Sequence, residues 1–234
     1  RQGIARRVVE HGRNLPHPRA GRTRVLGRTG IVPRVTATPE QIRRAAELMM
    51  DGSIVVFPTE TVYGIGALAT HEDAVDRLFR LKGRPKTRPL IVHLRRASQI
   101  DAFALGVPDY ARTLADALWP GPLTIVLKRR DDVLDTVTGG GDTVALRVPD
   151  HPMALELLDQ TLELGGVTAG IAAPSANPFG EEPPTTVEGV IAGLGRPAVD
   201  DENTPDMILD GGACSGGVPS TICLLYTSDA ADES

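Results

Sequence analysis

The stretch TATPEQIRRAAELMMDGSIVVFP, residues 36–58, encodes a helix and a buried strand that are joined by a very short turn. Thr38 is the predicted N-cap, Pro39 fits the first turn, and Gln41 completes a capping box. Gly52 ends the helix, and the apolar run after it is typical of a strand that is covered on both faces. The stretch therefore predicts a helix–strand unit of an α/β protein.

The same alternation continues along the chain. We predict helices in THEDAVDRLFRLKG, with Thr70 as its cap, and in PDYARTLADALWPG, HPMALELLDQTLEL and TTVEGVIAGLG. We predict strands in PLIVHL, PLTIVLKR, TVALRVP, IAAPSAN, MILDGG and STICLL, and a polar loop in TETVYGIG. This order predicts one α/β domain whose mixed sheet is flanked by helices.

The composition is that of a globular protein with few aromatic residues. The 234 residues are 41% apolar but only 3% aromatic, so the core has to be built from Val, Ile, Leu and Ala. Residues 1–34 contain nine arginines and one glutamate, a balance of about +8, which leaves about −13 for the rest of a chain with net charge −5. Because this basic segment has no apolar periodicity, we expect it to be disordered or non-native.

The cysteines and the hydropathy indicate a cytoplasmic protein. Cys214 and Cys223 are too few and too far apart for a CxxC site or a disulfide framework, which makes a reducing compartment the expectation. No apolar run approaches the roughly 18 residues of a bilayer-spanning helix, and no signal-peptide pattern opens the chain. We therefore expect a soluble protein without a membrane partner.

One segment, LKGRPKTRPLIVH at residues 81–93, concentrates positive charge. Lys82, Arg84, Lys86 and Arg88 place a cation at every second position, and the segment holds two of the chain's three lysines. Because a proline pushes the residue before it toward extended geometry, we expect an extended segment with its cations on one side. Such a row suits a polyphosphate, although a solvated basic loop remains the alternative.

Polar side chains also follow two other predicted strands. Ser175 and Asn177 lie in a proline-rich loop, where they can bond phosphate oxygens or a base edge, or form an ordinary turn. Thr59, Thr61 and Tyr63 either line a pocket for a small polar ligand or belong to a capped loop with packing glycines. These positions after strands are typical of ligand sites in open α/β sheets.

Several familiar sites are excluded. Gly64, Gly66 and Ala69 match a dinucleotide-binding pattern only partly, because a polar loop separates them from the strand, and there is no Walker A motif. No cysteine and histidine spacing predicts a metal site.

Two polar residues inside apolar strands have open roles. His93 is either a core residue or a ligand contact. Arg147 needs an anionic partner, which is either a ligand or a protein acid.

Taken in order, six segments resemble the YrdC-like threonylcarbamoyl-AMP synthases. They are FPTETVYGIG, LKGRPKTRPLIVH, WPGPLTIVL, DTVALRVPDHP, APSANPFGEEPPTT and GGVPSTI, and they cover about residues 38–222. The resemblance implies a twisted mixed sheet around a large positively charged cavity. It also implies synthesis of threonylcarbamoyl-adenylate and pyrophosphate from threonine, bicarbonate and ATP, for threonylcarbamoylation of the tRNA adenosine beside the anticodon.

The resemblance further implies a role for each matching residue. Lys82 and Arg84 would be the catalytic cations, and Lys86 a rim charge. The implied ATP contacts are Lys82, Arg84, Arg88, Thr143, Ser175 and Asn177, and the implied threonine contacts are Thr61, His93, Arg147, the backbone at Ala173, and Ser220. Magnesium would arrive on the ATP phosphates, with no tightly bound cofactor. The implied partners are tRNA and the proteins that transfer the threonylcarbamoyl group, and the chain would be a monomer or a dimer.

The resemblance sets the expected domain boundaries. Residues 35–222 would form the catalytic domain, truncated at its C-terminal end. CLLYTSDAADES does not resemble the family's continuation, so residues 223–234 are interpreted as a non-native tail. Longer members of the family carry a second C-terminal domain.

Two other functions remain open. A non-catalytic module that binds tRNA or double-stranded RNA would use the same cavity and the basic segment, but the charge of about −13 outside that segment argues against it. A related enzyme would form a carbamoyl-adenylate from another amino acid.

Overall fold

The helices and strands alternate in the predicted order, with three additional elements. A computed structural model describes residues 37–199, 201–215 and 221–224. The elements are α1 (Pro39–Met50), β1 (Val55–Pro58), β2 (Tyr63–Leu68), α2 (Glu72–Lys82), β3 (Ile91–His93), a 3-10 helix (Ala97–Ala102), α3 (Asp109–Leu118), β4 (Leu123–Lys128), α4 (Asp135–Thr138), β5 (Thr143–Arg147), α5 (Pro152–Gly165), β6 (Ile171–Ala172), α6 (Val187–Leu194), β7 (Met207–Ile208) and β8 (Thr221–Leu224).

The eight strands form one mixed sheet, as predicted, in the order β7-β1-β2-β6-β3-β5-β4-β8. Three neighbouring pairs are parallel: β1 with β7, β3 with β5, and β4 with β8. The other four pairs are antiparallel. None of the helices in the described ranges is long and apolar enough to cross a membrane.

The ends of α1 and α2 follow from local sequence. The Thr38 capping box is confirmed, because Thr38 Oγ1 accepts from Gln41 N at 3.3 Å and Gln41 Oε1 accepts from Thr38 N at 2.8 Å. Thr70, however, is not the cap of α2. His71 takes that position, and its Nδ1 accepts from Ala74 N at 3.4 Å. An imidazole nitrogen can replace the usual hydroxyl because it is also an acceptor.

The prediction of a loop throughout TETVYGIG is wrong, because residues from Tyr63 onward form β2. Only the four residues between Pro58 and Tyr63 make the turn of the β1–β2 hairpin. The glycines in β2 therefore provide space rather than a turn. A Cβ on Gly66 would lie 2.5 Å from Ile171 Cγ2, so the neighbouring strand β6 requires glycine there.

Helices cover both faces of the sheet. Val56 belongs to the apolar cluster that includes residues of α2 and α3, whereas Val55 and Phe57 belong to the cluster that includes residues of α1 and α5. All four residues of β1 are buried. A strand that alternates between two packed layers has no solvent face, which explains its continuous apolar sequence.

The predicted domain boundaries lie mostly where the structure gives no description. Residues 1–34 and 225–234 fall outside the described ranges. Cys223 and Leu224, which the sequence assigned to the tail, are the last two residues of β8 and pair with Ile125 and Val126 of β4. The division into three segments, with its two boundaries, remains a prediction.

A buried ion pair joins α2 to the sheet edge. Arg77 Nη1 lies 2.6 Å from Asp206 Oδ2, and the two side chains are 12% and 4% exposed. The same carboxylate oxygen accepts from Ile54 N at 2.7 Å, and Arg77 also donates to the carbonyls of Asp201 and Thr204. The position of the segment leading into β7 is therefore fixed by the Asp206 carboxylate together with Arg77.

We predict that Asp206→Ala lowers the free energy of unfolding by about 3 kcal/mol or more, because it leaves a buried guanidinium without its counter-ion. Urea denaturation measures the change. Glu202→Ala is the matched control, since Glu202 also pairs with Arg77 but its side chain is 70% exposed. That variant should change stability by less than about 1 kcal/mol. Equal effects of the two substitutions would contradict a structural role of the buried pair.

Candidate functional site

Two neighbouring cavities of about 470 Å³ each open along the sheet. We call them the first lobe, which contains His93 and Arg147, and the second lobe, which contains Arg84 and Thr143. The lobes share part of their walls, so they form one cleft. The shared residues are Ile91, Ala173, Pro174 and Ser175.

The first lobe lies at the carboxyl ends of two parallel strands. β3 and β5 pair with His93 opposite Arg147, so these two side chains lie next to each other. Thr59 and Thr61, from the turn between β1 and β2, contribute hydroxyls 3.1 Å apart to the same cavity. Two of the three predicted pocket residues, Thr59 and Thr61, thus line the first lobe. Tyr63 is absent from its described wall, and the Tyr63 hydroxyl donates to Gly212 O at 2.6 Å.

His93 is uncharged at neutral pH. It is 4% exposed, and burial, with a smaller contribution from the positive charge of Arg147, lowers its pKa to about 3. Its ring meets Phe57 edge to face at 6.1 Å. Nδ1 is buried and has no hydrogen-bond partner among the described residues. A neutral imidazole in a cavity wall is a suitable contact for a polar ligand.

Arg147 has the anionic partner that its burial requires, and that partner is a protein acid. The residue is 5% exposed, and its Nη2 contacts the carboxylate of Glu60. Its Nε donates to Gly121 O at 3.3 Å. Glu60 is a glutamate in a polar turn, and no local signal in the sequence indicates that it pairs with a strand residue.

The second lobe combines a cation with an apolar wall. Leu90, Ile91, Val126, Ala145 and Ile222 line it together with Arg84, Thr143 and Ser175. The Arg84 guanidinium donates to the carbonyls of Arg88 and Pro89 and lies 5.8 Å from the centre of the Phe179 ring. These contacts hold the cation at the edge of the lobe.

The expectation of an extended, one-sided row of cations is wrong. Lys82 is the last residue of α2, and the chain then turns, with Arg88 N donating to Pro85 O at 3.0 Å. Lys86 contacts Asp76 of α2 at 2.8 Å, and Arg88 is exposed. The prolines restrict only the residues before them, so the helix continues up to its glycine cap.

Lys82 lies beneath the loop that carries Ser175. The residue is 3% exposed, and its Nζ donates to Ser175 O at 2.6 Å and to Asn177 O. The Asn177 amide in turn donates to the carbonyls of Pro178 and Glu181, both at 2.8 Å. Lys82 and Asn177 thus hold the loop in place.

The structure brings most of the predicted ligand contacts to the cleft. Thr61, His93, Arg147, Ala173 and Ser175 line the first lobe, and Arg84, Thr143, Ala173 and Ser175 line the second. Three predicted contacts are absent from the described walls of both lobes: Lys82, Arg88 and Asn177. Ser220 lies outside the described residues.

We predict that Lys82 makes the protein more stable as the pH rises from about 8 to about 10.5. Burial, followed by the charge of Arg84, lowers the pKa of Lys82 from 10.5 to about 8. In this interval the unfolded chain binds more protons than the folded one, so stability increases with pH. Urea denaturation of the wild type and of Lys82→Met measures the difference, and the variant should lack this rise. Lys86→Met, which removes an exposed lysine, should retain it.

The fold and cleft define a class: a single-sheet α/β protein with a two-lobed ligand site at the carboxyl ends of parallel strands. The sequence model of the Sua5/YciO/YrdC family, described as "Telomere recombination", matches residues 47–231. The chain therefore belongs to the Sua5/YciO/YrdC family, which confirms the resemblance found in the sequence.

Two curated relatives are both named threonylcarbamoyl-AMP synthase. The chain is 43% identical over 182 residues to the threonylcarbamoyl-AMP synthase of Pyrococcus abyssi, which covers 78% of this chain and 50% of the relative. It is 42% identical over 194 residues to the threonylcarbamoyl-AMP synthase of Bacillus subtilis, covering 82% of this chain and 52% of the relative. The chain thus spans about half the length of these relatives. A purely RNA-binding module is not favoured by these relatives.

Solved structures share the fold. The crystal structure of P. abyssi Sua5 complexed with L-threonine has a TM-score of 0.72 at 41% identity, covering 80% of this chain and 52% of that one. Escherichia coli YciO has a TM-score of 0.67 at 23% identity, covering 83% and 87%, and supports the fold alone. The predicted mixed α/β fold is confirmed.

Proposed function

We propose that this chain is the catalytic domain of a threonylcarbamoyl-AMP synthase, which forms threonylcarbamoyl-adenylate and pyrophosphate from threonine, bicarbonate and ATP. The observation that carries the proposal is the cleft, in which Arg147 and Arg84 lie in separate lobes with one common wall. Such a cleft can bind an amino acid and a nucleotide side by side. The names of the curated relatives and the L-threonine complex of P. abyssi Sua5 support the assignment.

The first lobe would bind the amino acid. Arg147 suits its carboxylate, and the Thr61 hydroxyl and the neutral His93 are polar contacts for the rest of the molecule. The N–H of Ala173 already donates to Ile91 O at 3.0 Å, so a ligand would have to use the carbonyl of Ala173. Ser220 completes the proposed set.

The second lobe would bind ATP. Its apolar wall, which includes Leu90, Val126 and Ile222, suits a purine, and Arg84 with Thr143 suits the phosphates. Ser175 lies in the wall common to both lobes, where the two substrates would meet. Lys82, Arg88 and Asn177 do not line the described walls of the cleft. We still assign Lys82 and Asn177 to the nucleotide site through the loop that they hold, and Arg88 as an exposed cation of the same segment.

The proposed chemistry depends mainly on position. The amine of threonine reacts with bicarbonate to give a carbamate and water, and the proton of the ammonium passes to solvent. A carbamate oxygen then attacks the α-phosphorus, and pyrophosphate leaves with the electrons of the broken P–O bond. Two substrates held against one wall gain from proximity, and Arg84 would offset the charge that develops on the phosphates.

Magnesium is proposed to enter with ATP as part of the substrate. The described residues contain no group of three or more His, Cys, Asp or Glu side chains that could hold a metal ion. Glu182 is the acid in the described walls of the cleft and is exposed, and Glu60 pairs with Arg147, which lines the first lobe. These donors do not make a protein site for a resident metal, and no tightly bound cofactor is proposed.

The proposed product would be used in the modification of tRNA. A threonylcarbamoyl-adenylate is an activated acyl donor, so transfer proteins that act on tRNA adenosine would consume it. We propose a cytosolic location and a monomeric or dimeric state. A different amino acid substrate remains the second possibility for the first lobe.

The central prediction is that pyrophosphate release from ATP requires both threonine and bicarbonate. A coupled pyrophosphate assay with each substrate omitted in turn tests this, and mass spectrometry should find threonylcarbamoyl-adenylate. An equal rate without threonine would show that the proposed reaction is wrong. A panel of other amino acids identifies the substrate if threonine is not the best one.

We predict that Arg84→Ala lowers kcat at least about 100-fold, because it removes a charge placed against the phosphates. The guanidinium is only partly buried, so the free energy of unfolding should change by less than about 1 kcal/mol. Arg80→Ala is the matched control, since Arg80 is an exposed arginine of α2 that pairs with Glu202. Equal activity of the two variants would contradict the role of Arg84.

A further inference from the structure

Glu60 is a partly buried residue whose carboxylate contacts Arg147, the cation proposed to bind the substrate carboxylate. Its side chain is 18% exposed, and Oε1 contacts Nη2 of Arg147, whose side chain is 6% exposed. The other oxygen, Oε2, is buried and has no hydrogen-bond partner among the described residues. A carboxylate with one buried oxygen that lacks a hydrogen-bond partner lowers the stability of the folded protein. The position of Glu60 beside Arg147 therefore suggests a functional role.

The backbone of Glu60 is held on both sides. In the turn between β1 and β2, the Thr59 hydroxyl donates to Val62 O at 2.7 Å and accepts from Thr61 N at 3.3 Å. The carbonyl of Glu60 accepts from Ser215 Oγ. The turn therefore holds the Glu60 carboxylate in a fixed position. A residue that orients another group requires such support.

Two protein acceptors fix the guanidinium of Arg147. Nε donates to Gly121 O, and Nη2 donates to Glu60, which uses two of its five N–H donors. No other acceptor in the described part of the chain bonds this guanidinium. The remaining donors belong to a side chain that lines the first lobe, where His93 is its neighbour.

We propose that Glu60 is a positioning residue, which holds the Arg147 guanidinium in the orientation that binds the carboxylate of the amino acid. This inference rests on the proposed function, since it assigns Arg147 to that carboxylate. Glu60 stays in place when the substrate binds, because the guanidinium has donors for both. Without Glu60 the guanidinium loses one of its two fixed contacts and samples other orientations, and affinity for the amino acid falls.

The charges of the first lobe are consistent with this role. Glu60 balances Arg147, and His93 is neutral because its pKa is strongly lowered. A zwitterionic amino acid adds no net charge to such a lobe. A bare anion would add one, and desolvation makes an unbalanced buried charge unfavourable.

The test compares Glu60→Gln with Glu60→Asp, and uses Glu182→Gln as the matched control. Glu182 also lines the first lobe, but it is exposed, makes no ion pair with another described residue and is assigned no role in binding. Isothermal titration of the full chain measures Kd for threonine, and steady-state assays measure KM for threonine, KM for ATP and kcat separately. Thermal unfolding reports whether each variant folds.

The expected result is a loss of threonine affinity that leaves ATP affinity unchanged. Glu60→Gln should raise Kd and KM for threonine by at least about tenfold, since misplacement of a binding group is costly. Glu60→Asp, which keeps the charge, should recover part of the loss, and Glu182→Gln should resemble the wild type.

Each other outcome overturns the inference in a recognisable way. Tighter threonine binding by Glu60→Gln would mean that Glu60 competes with the substrate for Arg147. An unchanged Kd would mean that Glu60 only neutralises Arg147, and equal losses in both glutamine variants would indicate a general charge effect. If the wild type neither binds threonine nor needs it for turnover, the proposed function fails together with this role; the other three outcomes leave that function intact.

Discussion

The parallel pairing of β3 with β5 is the constraint on which the proposed site depends. It places His93 and Arg147 opposite each other at the carboxyl ends of two central strands. β3 also pairs with β6, which leads directly into the loop that carries Ser175. One short strand thus connects the first lobe to the wall that it shares with the second lobe. Three residues suffice because both neighbouring strands are held by the rest of the sheet.

Three buried cations have partners in distant parts of the chain. Lys82 has two backbone carbonyls as partners, Arg77 is paired with Asp206, and Arg147 is paired with Glu60. Each contact joins segments that lie far apart in the chain, and those of Lys82 and Arg147 support residues of the cleft wall. Arg84 differs from these three, because its contacts are to the carbonyls of its own segment and it is only partly buried. It is the cation whose position best suits a phosphate.

Much of the fold could be predicted because its signals are local. The capping box of α1, the glycine after α2 and the apolar run of β1 were all visible in the sequence. The prediction failed at β2, where glycines that suggest a turn are required by the approach of Ile171. It also failed for the cation row, since a helix that continues to Lys82 turns that side chain toward the loop beneath Ser175.

For the site, residue types were predictable and partners were not. The sequence alone identified Thr61, His93, Arg147 and Ser175 as polar residues beside strands, because strand ends and residue chemistry are properties of short segments. Only the tertiary structure decided that Arg147 meets Glu60, 87 residues away, and that Lys82 meets the carbonyls of Ser175 and Asn177, 93 and 95 residues away. Contacts across such separations depend on strand order, which local propensity does not specify.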